Sequence, residues 1–272
     1  MISMIQQKNK SKNGIAYYKT GKGPAIILIH GLGLRSESWI EQIKILRKKY
    51  TIYSLDLPGH GQSKLLSQKK LTLKGFCSEI TKFIKLLDIY KPILIGHSLG
   101  ALITIEIAGN NPNILKSGIA ISSVYKRSKD ALRKVQKRAK EIKEKPNEET
   151  LVNKLIERWF GKSKSLKMNN HAKFIKKLLL LNKKNNFEGY SSAYELFSKL
   201  DGNSTKTIKN IKVPMLYITG EKDLNSTPSM SKKLAKINDH NYAVIKGAKH
   251  VVPLTHAKQC NFHLINFIKG LQ

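Results

Sequence analysis

Ser98 stands at the centre of Gly96-His97-Ser98-Leu99-Gly100, with the apolar run Pro92-Ile93-Leu94-Ile95 before it and the apolar stretch 101–108 after it. A serine on a sharp turn from a buried strand into a helix is what a nucleophile elbow requires, and flanking glycines remove bulk where the turn is tightest. Without that strand and helix the pentapeptide would be an ordinary turn serine. A serine hydroxyl attacks a carbonyl only when a base takes its proton, and that base needs an orienting carboxylate. In a strand–turn–helix architecture the three follow the order Ser, acid, His. Asp223, in Gly220-Glu221-Lys222-Asp223, and His250, in Gly247-Ala248-Lys249-His250, keep that order. Each follows an apolar strand-like run, which places it at the same sheet edge as Ser98. A turn or helix-capping residue is the bland reading of Asp223, and a loop histidine that of His250. Glu221 is the nearest substitute acid, less favourably placed inside the turn.

An acyl-transfer centre also needs two backbone N–H groups for the developing oxyanion. Leu99, directly after the serine, supplies one. Leu32, flanked by glycines in His30-Gly31-Leu32-Gly33, supplies the other, with His30 bonding behind the loop rather than serving as a second base.

These residues need a scaffold, and the chain alternates short β-like runs with helical patterns, the signature of a mostly parallel sheet covered on both faces by helices. Strands are expected at 25–29, 51–55, 92–95, 118–122, 214–219 and 242–246. Helices are expected from Ser36 as N-cap, over 71–87, over 101–108 and over 253–268. Residues 1–19 read as two antiparallel edge strands around Lys12-Asn13-Gly14. From 123 to 209 the strand rhythm stops, and only helices are expected, over 130–143, 148–160, 171–182 and 188–200. That insertion reads as a helical cap (123–209) over a core formed by 1–122 and 210–272, at the sheet end where such folds bind ligands. Trp159, Phe160, Tyr190 and Tyr194 are its candidates to face the pocket, with burial in the cap's own core as the alternative. The run Arg133, Lys134, Lys137, Arg138, Lys140 reads as a solvated helix face rather than a docking patch.

With 272 residues and 40% hydrophobic content, the chain is long enough for one large α/β domain. It has no apolar run long enough to span a membrane, and its start does not resemble a signal peptide. Two scattered cysteines, Cys77 and Cys260, make neither a disulfide framework nor a zinc site, and a cytoplasmic location is expected. No phosphate loop, metal-ligand cluster or dinucleotide fingerprint is present, so no cofactor and no metal are expected. Lys and Arg number 50 against 18 Asp and Glu, a formal charge of +32. Six of the 50 are arginine and 44 are lysine, whereas nucleic-acid readers lean on arginine's planar fork. Lysine enriched along with isoleucine and asparagine fits A/T-rich codon usage better than a dedicated polyanion surface, so no specific nucleic-acid partner is expected.

His30-Gly31-Leu32-Gly33, Asp56-Leu57-Pro58-Gly59-His60-Gly61-Gln62-Ser63, Gly96-His97-Ser98-Leu99-Gly100, Gly220-Glu221-Lys222-Asp223 and His250 together resemble the α/β-hydrolase fold superfamily over nearly the whole chain. The segments Glu157-Arg158-Trp159-Phe160 and Glu188-Gly189-Tyr190 are similar to 3-oxoadipate enol-lactonases and nearby small-molecule esterases. The core is also similar to pimeloyl-carrier-protein methyl ester esterases. A serine in the elbow sets aside the dehalogenases and epoxide hydrolases of this fold, which use aspartate. It leaves C–C bond hydrolases and perhydrolases open. The resemblance implies a serine hydrolase cleaving a small ester or lactone through an acyl-enzyme. Its partner would be an anionic small molecule, or an acidic carrier protein drawn by the positive field. A non-catalytic, polyanion-binding protein of the same fold is the rival, and the oligomeric state is open.

Overall fold

A computed structural model describes residues 8–67, 71–144, 149–161 and 170–271. Eight strands form one sheet: β1 (Asn9–Lys10), β2 (Ala16–Thr20), β3 (Ala25–Ile29), β4 (Thr51–Leu55), β5 (Ile93–His97), β6 (Ser117–Ile121), β7 (Met215–Gly220) and β8 (Asn241–Ile245). Their order is β1-β2-β4-β3-β5-β6-β7-β8. β1 pairs antiparallel with β2 and β2 with β4, and every other pairing is parallel. The central strands are continuous apolar runs because both of their faces are buried. Ile27, Ile29 and Leu94 pack on one side with α2 (Leu73–Leu86) and α3 (Leu99–Asn110). Ile26, Leu28, Ile93 and Ile95 pack on the other with α1 (Ile40–Leu46) and α11 (Ala257–Lys269). Thr72 caps α2 by accepting from the Gly75 amide at 3.0 Å.

Several boundaries differ from expectation. Ser36 is not an N-cap. It opens a 3-10 turn (Ser36–Trp39) ahead of α1, and its amide donates to the Asp56 carboxylate at 2.9 Å. The C-terminal helix is broken at His256 into α10 (Val252–Thr255) and α11. Residues 1–7 of the expected edge hairpin and residue 148 of an expected helix lie outside the described residues.

Between β6 and β7 run α4 (Lys129–Glu144), α5 (Glu149–Phe160), α6 (Asn170–Asn185), α7 (Phe187–Lys199) and the short α8 (Thr205–Lys209). The insertion shares its apolar residues with the core. Val135, Ala139, Tyr190 and Phe197 of α4 and α7 join the cluster that covers one sheet face. Val152, Leu155, Ile175 and Leu179 of α5 and α6 close instead on Leu34, Ile40, Val251 and Leu254. The α8 turn packs on α3 and on α9 (Pro228–Ile237), so the chain is back against the core helices before residue 210. Among the described residues, no helix is long and apolar enough to cross a membrane.

Candidate active site

The turn from β5 into α3 places Ser98 at φ 54°, ψ −109°, a left-handed conformation that non-glycine residues rarely hold. The surroundings impose it. Ser98 N–H donates to Ile121 O of the neighbouring strand at 2.9 Å, and its carbonyl accepts from Ala101 and Leu102 at 3.0 and 3.2 Å. The turn is so tight that a Cβ on Gly96 would strike the Gly100 carbonyl, and one on Gly100 would strike that of Ile29. Ser98 is thus pinned at the mouth of the sheet, with Leu99 as the first residue of α3.

His250 reaches Ser98 from the loop after β8. Its Nε2 lies 3.2 Å from Ser98 Oγ, and its Nδ1 lies 2.8 Å from Asp223 Oδ2. The other Asp223 oxygen accepts from the Asn225 and Ser226 amides at 2.8 and 3.1 Å. Burial raises the Asp223 carboxyl, but the His250 charge and hydrogen bond, helped by those amides, outweigh it and hold the group below the usual carboxylate range. Glu221 is exposed and accepts instead from the Gly247 amide at 2.8 Å. The structure therefore brings Ser98, His250 and Asp223 into one relay and leaves Glu221 outside it. The His250 carbonyl is itself fixed, accepting from His97 Nε2 at 2.9 Å and Ser122 Oγ at 3.1 Å.

The loop carrying Leu32 is held from behind by two buried imidazoles. His30 Nδ1 donates to Gly31 O at 2.7 Å, and its Nε2 accepts from the Leu57 amide at 2.9 Å. His60 Nδ1 donates to Pro58 O at 3.2 Å, and its Nε2 accepts from the Gly33 amide at 3.1 Å. Each ring gives one proton and takes one, so a second proton would face a backbone N–H. Burial is the largest cause that lowers them, His30 to about 3 and His60 to about 4. From α6, fully buried Asn182 donates to Gly33 O and Leu34 O at 2.6 and 2.8 Å and accepts from the Gly61 amide at 3.0 Å.

A cavity of about 60 Å³ opens over Ser98 and His250. Leu32, Trp159, Tyr190 and Tyr194 line it, while the Leu99 side chain is buried in the core. Phe160 is not among the lining residues. It packs beside the α5–α6 cluster, since neighbours on a helix point about 100° apart and Trp159 takes the inward direction. The indole of Trp159 lies over the His250 ring, centroids 5.9 Å apart and planes at 34°.

Three of the six arginines also line this cavity: Arg127, Arg138 and Arg158. This corrects the reading of the basic run on α4 as a wholly solvated face, because Arg138 turns inward while Arg133, Lys134, Lys137 and Lys140 stay exposed. Arg127 is spent on structure. Its guanidinium donates to the Phe197 and Leu200 carbonyls and stacks 4.4 Å over the Phe197 ring. Arg138 has a long 3.4 Å bond to the Tyr194 hydroxyl, and Arg158 Nε is buried without a hydrogen-bond partner. Among the described residues neither forms a salt bridge to an acid. Burial first, and then the charge of Arg138, lowers the Arg158 guanidinium below its ordinary value. The signal for these cations was their rarity in a lysine-rich chain.

The profile of the alpha/beta hydrolase fold family matches residues 24–257. The chain is 34% identical over 262 residues, 96% of each protein, to an (E)-2-((N-methylformamido)methylene)succinate hydrolase from Acinetobacter baylyi. It is 29% identical over 85% of its length, and 88% of the relative's, to a pimeloyl-[acyl-carrier protein] methyl ester esterase from Wigglesworthia glossinidia brevipalpis. The enol-lactonase of Burkholderia xenovorans LB400 has the same fold, with a TM-score of 0.81 at 21% identity over 96% of this chain and 99% of that one. A nucleophile-elbow turn in an eight-stranded sheet of this order, together with a family match over most of the sequence, makes this chain a member of the alpha/beta hydrolase fold family.

Proposed function

We propose that this hydrolase cleaves a small, carboxylate-bearing ester, lactone or amide through an acyl-enzyme on Ser98. The relay from Ser98 through His250 to Asp223, opening onto a cavity lined by two guanidinium groups that form no salt bridge among the described residues, carries this reading. Ser98 Oγ attacks the substrate carbonyl carbon as its proton passes to His250 Nε2, and the Asp223 carboxylate offsets the imidazolium charge. The amides of Leu32 and Leu99 receive the oxyanion. As the tetrahedral species collapses, His250 returns the proton to the leaving oxygen or nitrogen. Water, deprotonated by His250, then attacks the acyl-enzyme and releases the acid and Ser98.

The substrate class draws support from two directions. Arg138 and Arg158 offer charged donors that, among the described residues, form no salt bridge, and a guanidinium's fork matches a carboxylate. The Acinetobacter relative is named for a substituted succinate, a compound with two carboxylates.

A neutral fluorophosphonate should label the wild type at Ser98 and spare Ser98→Ala. Asp223→Asn should lower kcat by on the order of 10³- to 10⁴-fold, while Glu221→Gln changes it little. Labelling at another serine with retained turnover would overturn the assignment of Ser98. The reverse order of the two acid variants would make Glu221 the orienting acid. Steep salt-dependent DNA binding with no turnover of any ester or amide would favour the non-catalytic rival.

A further inference from the structure

A second cavity, of about 170 Å³, lies between α4 and α5 and shares Arg138, Leu155 and Arg158 with the cavity over Ser98. The two hollows are therefore the two sides of one partition. Ile142 and Leu151, both buried, give the second chamber its apolar lining, and exposed Lys154 and half-buried Glu141 complete its wall.

The two chambers meet at the same two arginines. The cavity over Ser98 takes the scissile group and a carboxylate, and a substrate that carries a chain beyond that carboxylate finds the neighbouring hollow directly behind Arg138 and Arg158.

We infer that the chamber between α4 and α5 is a second substrate subsite, which receives an apolar chain attached to the carboxylate end of the substrate. The inference rests on the proposed function for the position of the scissile bond. A carboxylate seated on the Arg138–Arg158 partition has Ser98 on one side and Ile142 and Leu151 on the other. Polar contact fixes the register, and the chain beyond it gains by leaving water.

Calorimetry with butyrate, hexanoate and octanoate tests this without requiring catalysis. Burying a methylene strengthens binding about fourfold, so wild-type affinity should rise on the order of 100-fold from butyrate to octanoate. Ile142→Trp on α4 and Leu151→Trp on α5 fill the chamber from opposite walls, and each should cut the octanoate-to-butyrate ratio at least tenfold. Ile142→Phe and Leu151→Phe provide milder fillers if either tryptophan variant fails to fold. Lys134→Ala, on the exposed face of α4, should keep the wild-type ratio. A flat series in the wild type, or fillers that leave the ratio intact, would overturn the subsite. Absence of fluorophosphonate labelling at Ser98 would instead strike the proposed reaction and leave the chain-length series readable.

Discussion

Lys134 and Arg138 sit one turn apart on α4 and carry the same charge, yet they do different work. Lys134 lies in solvent, paired with Asp130 at 2.7 Å, a contact that salt screens and that contributes little. Arg138 turns into the cavity beside Arg158 and, among the described residues, forms no salt bridge to a carboxylate. Charge-assisted hydrogen bonds contribute about 1.5–3 kcal/mol, so Arg138→Gln or Arg158→Gln should lower kcat/KM for a carboxylate-bearing ester roughly 10- to 100-fold relative to its neutral isostere. Arg→Lys variants should keep part of the preference, having the charge without the planar fork. Lys134→Gln should change the ratio less than about twofold, as expected of an exposed pair. Steady-state kinetics on a matched pair of esters decides it, and a wild-type enzyme indifferent to substrate charge would remove the role given to both arginines.

At the scale of elements, α6 and the loops after β3 and β4 are locked together. Asn182 holds both the Gly33 and Leu34 carbonyls, and Asn186 Nδ2 donates to Gly61 O at 2.6 Å. Gly33 also packs against the Tyr190 ring so closely that a Cβ there would collide with it. Removing one oxyanion donor costs an enzyme about 10²- to 10³-fold, and loosening the loop that carries one should cost less. Asn182→Ala should therefore lower kcat roughly 10- to 100-fold with KM moved less than about threefold. Asn182→Asp should do worse, since a carboxylate cannot donate to the two carbonyls. Initial rates, with thermal melting to confirm folding, test this. A rise in KM alone would place Asn182 in substrate binding. None of this was legible in the sequence, because Asn182 acts on residues 149 and 148 positions away. The central strands were legible because their runs, such as Ala25–Ile29, are apolar and end at a turn. Ser98, Asp223 and His250 were legible because each follows a β-like run in chain order. The Ser36–Trp39 turn is not written in its local residues, because Asp56, not a local cap, holds the Ser36 amide. Trp159 and Phe160 looked alike until the helix took its rotation.

For the whole molecule, the formal charge of +32 and the site's charge are separate matters. The lysines set a diffuse field that salt screens, whereas the partition arginines are local and partly enclosed. Acid stability depends on a third set of groups. His30, His60 and His97 are buried and neutral, lowered chiefly by burial to about 3, 4 and 3. Below the ordinary histidine pKa of about 6.5 the unfolded chain protonates all three while the folded chain does not. Stability is therefore full above that value and is lost as pH falls from about 6.5 toward 4, by roughly 1.4 kcal/mol per pH unit for each histidine. Asp223, held low, adds to the loss only below about pH 4. Denaturant melts at pH 7, 6 and 5 should show the midpoint falling steeply, and a midpoint flat over that range would mean the three imidazoles are not buried neutral. The contact between the insertion and the sheet also governs how specificity can be altered. Gly189 of α7 and Gly59 meet backbone to backbone, so a Cβ on either would strike the backbone of the other. Random mutagenesis for a new substrate should consequently find its tolerated changes on α4 and α5, which carry the arginines and the second chamber. On α6 and α7 the same mutational load would disturb the oxyanion loop, so new chemistry can be bred on one half of the insertion only while the other is left alone.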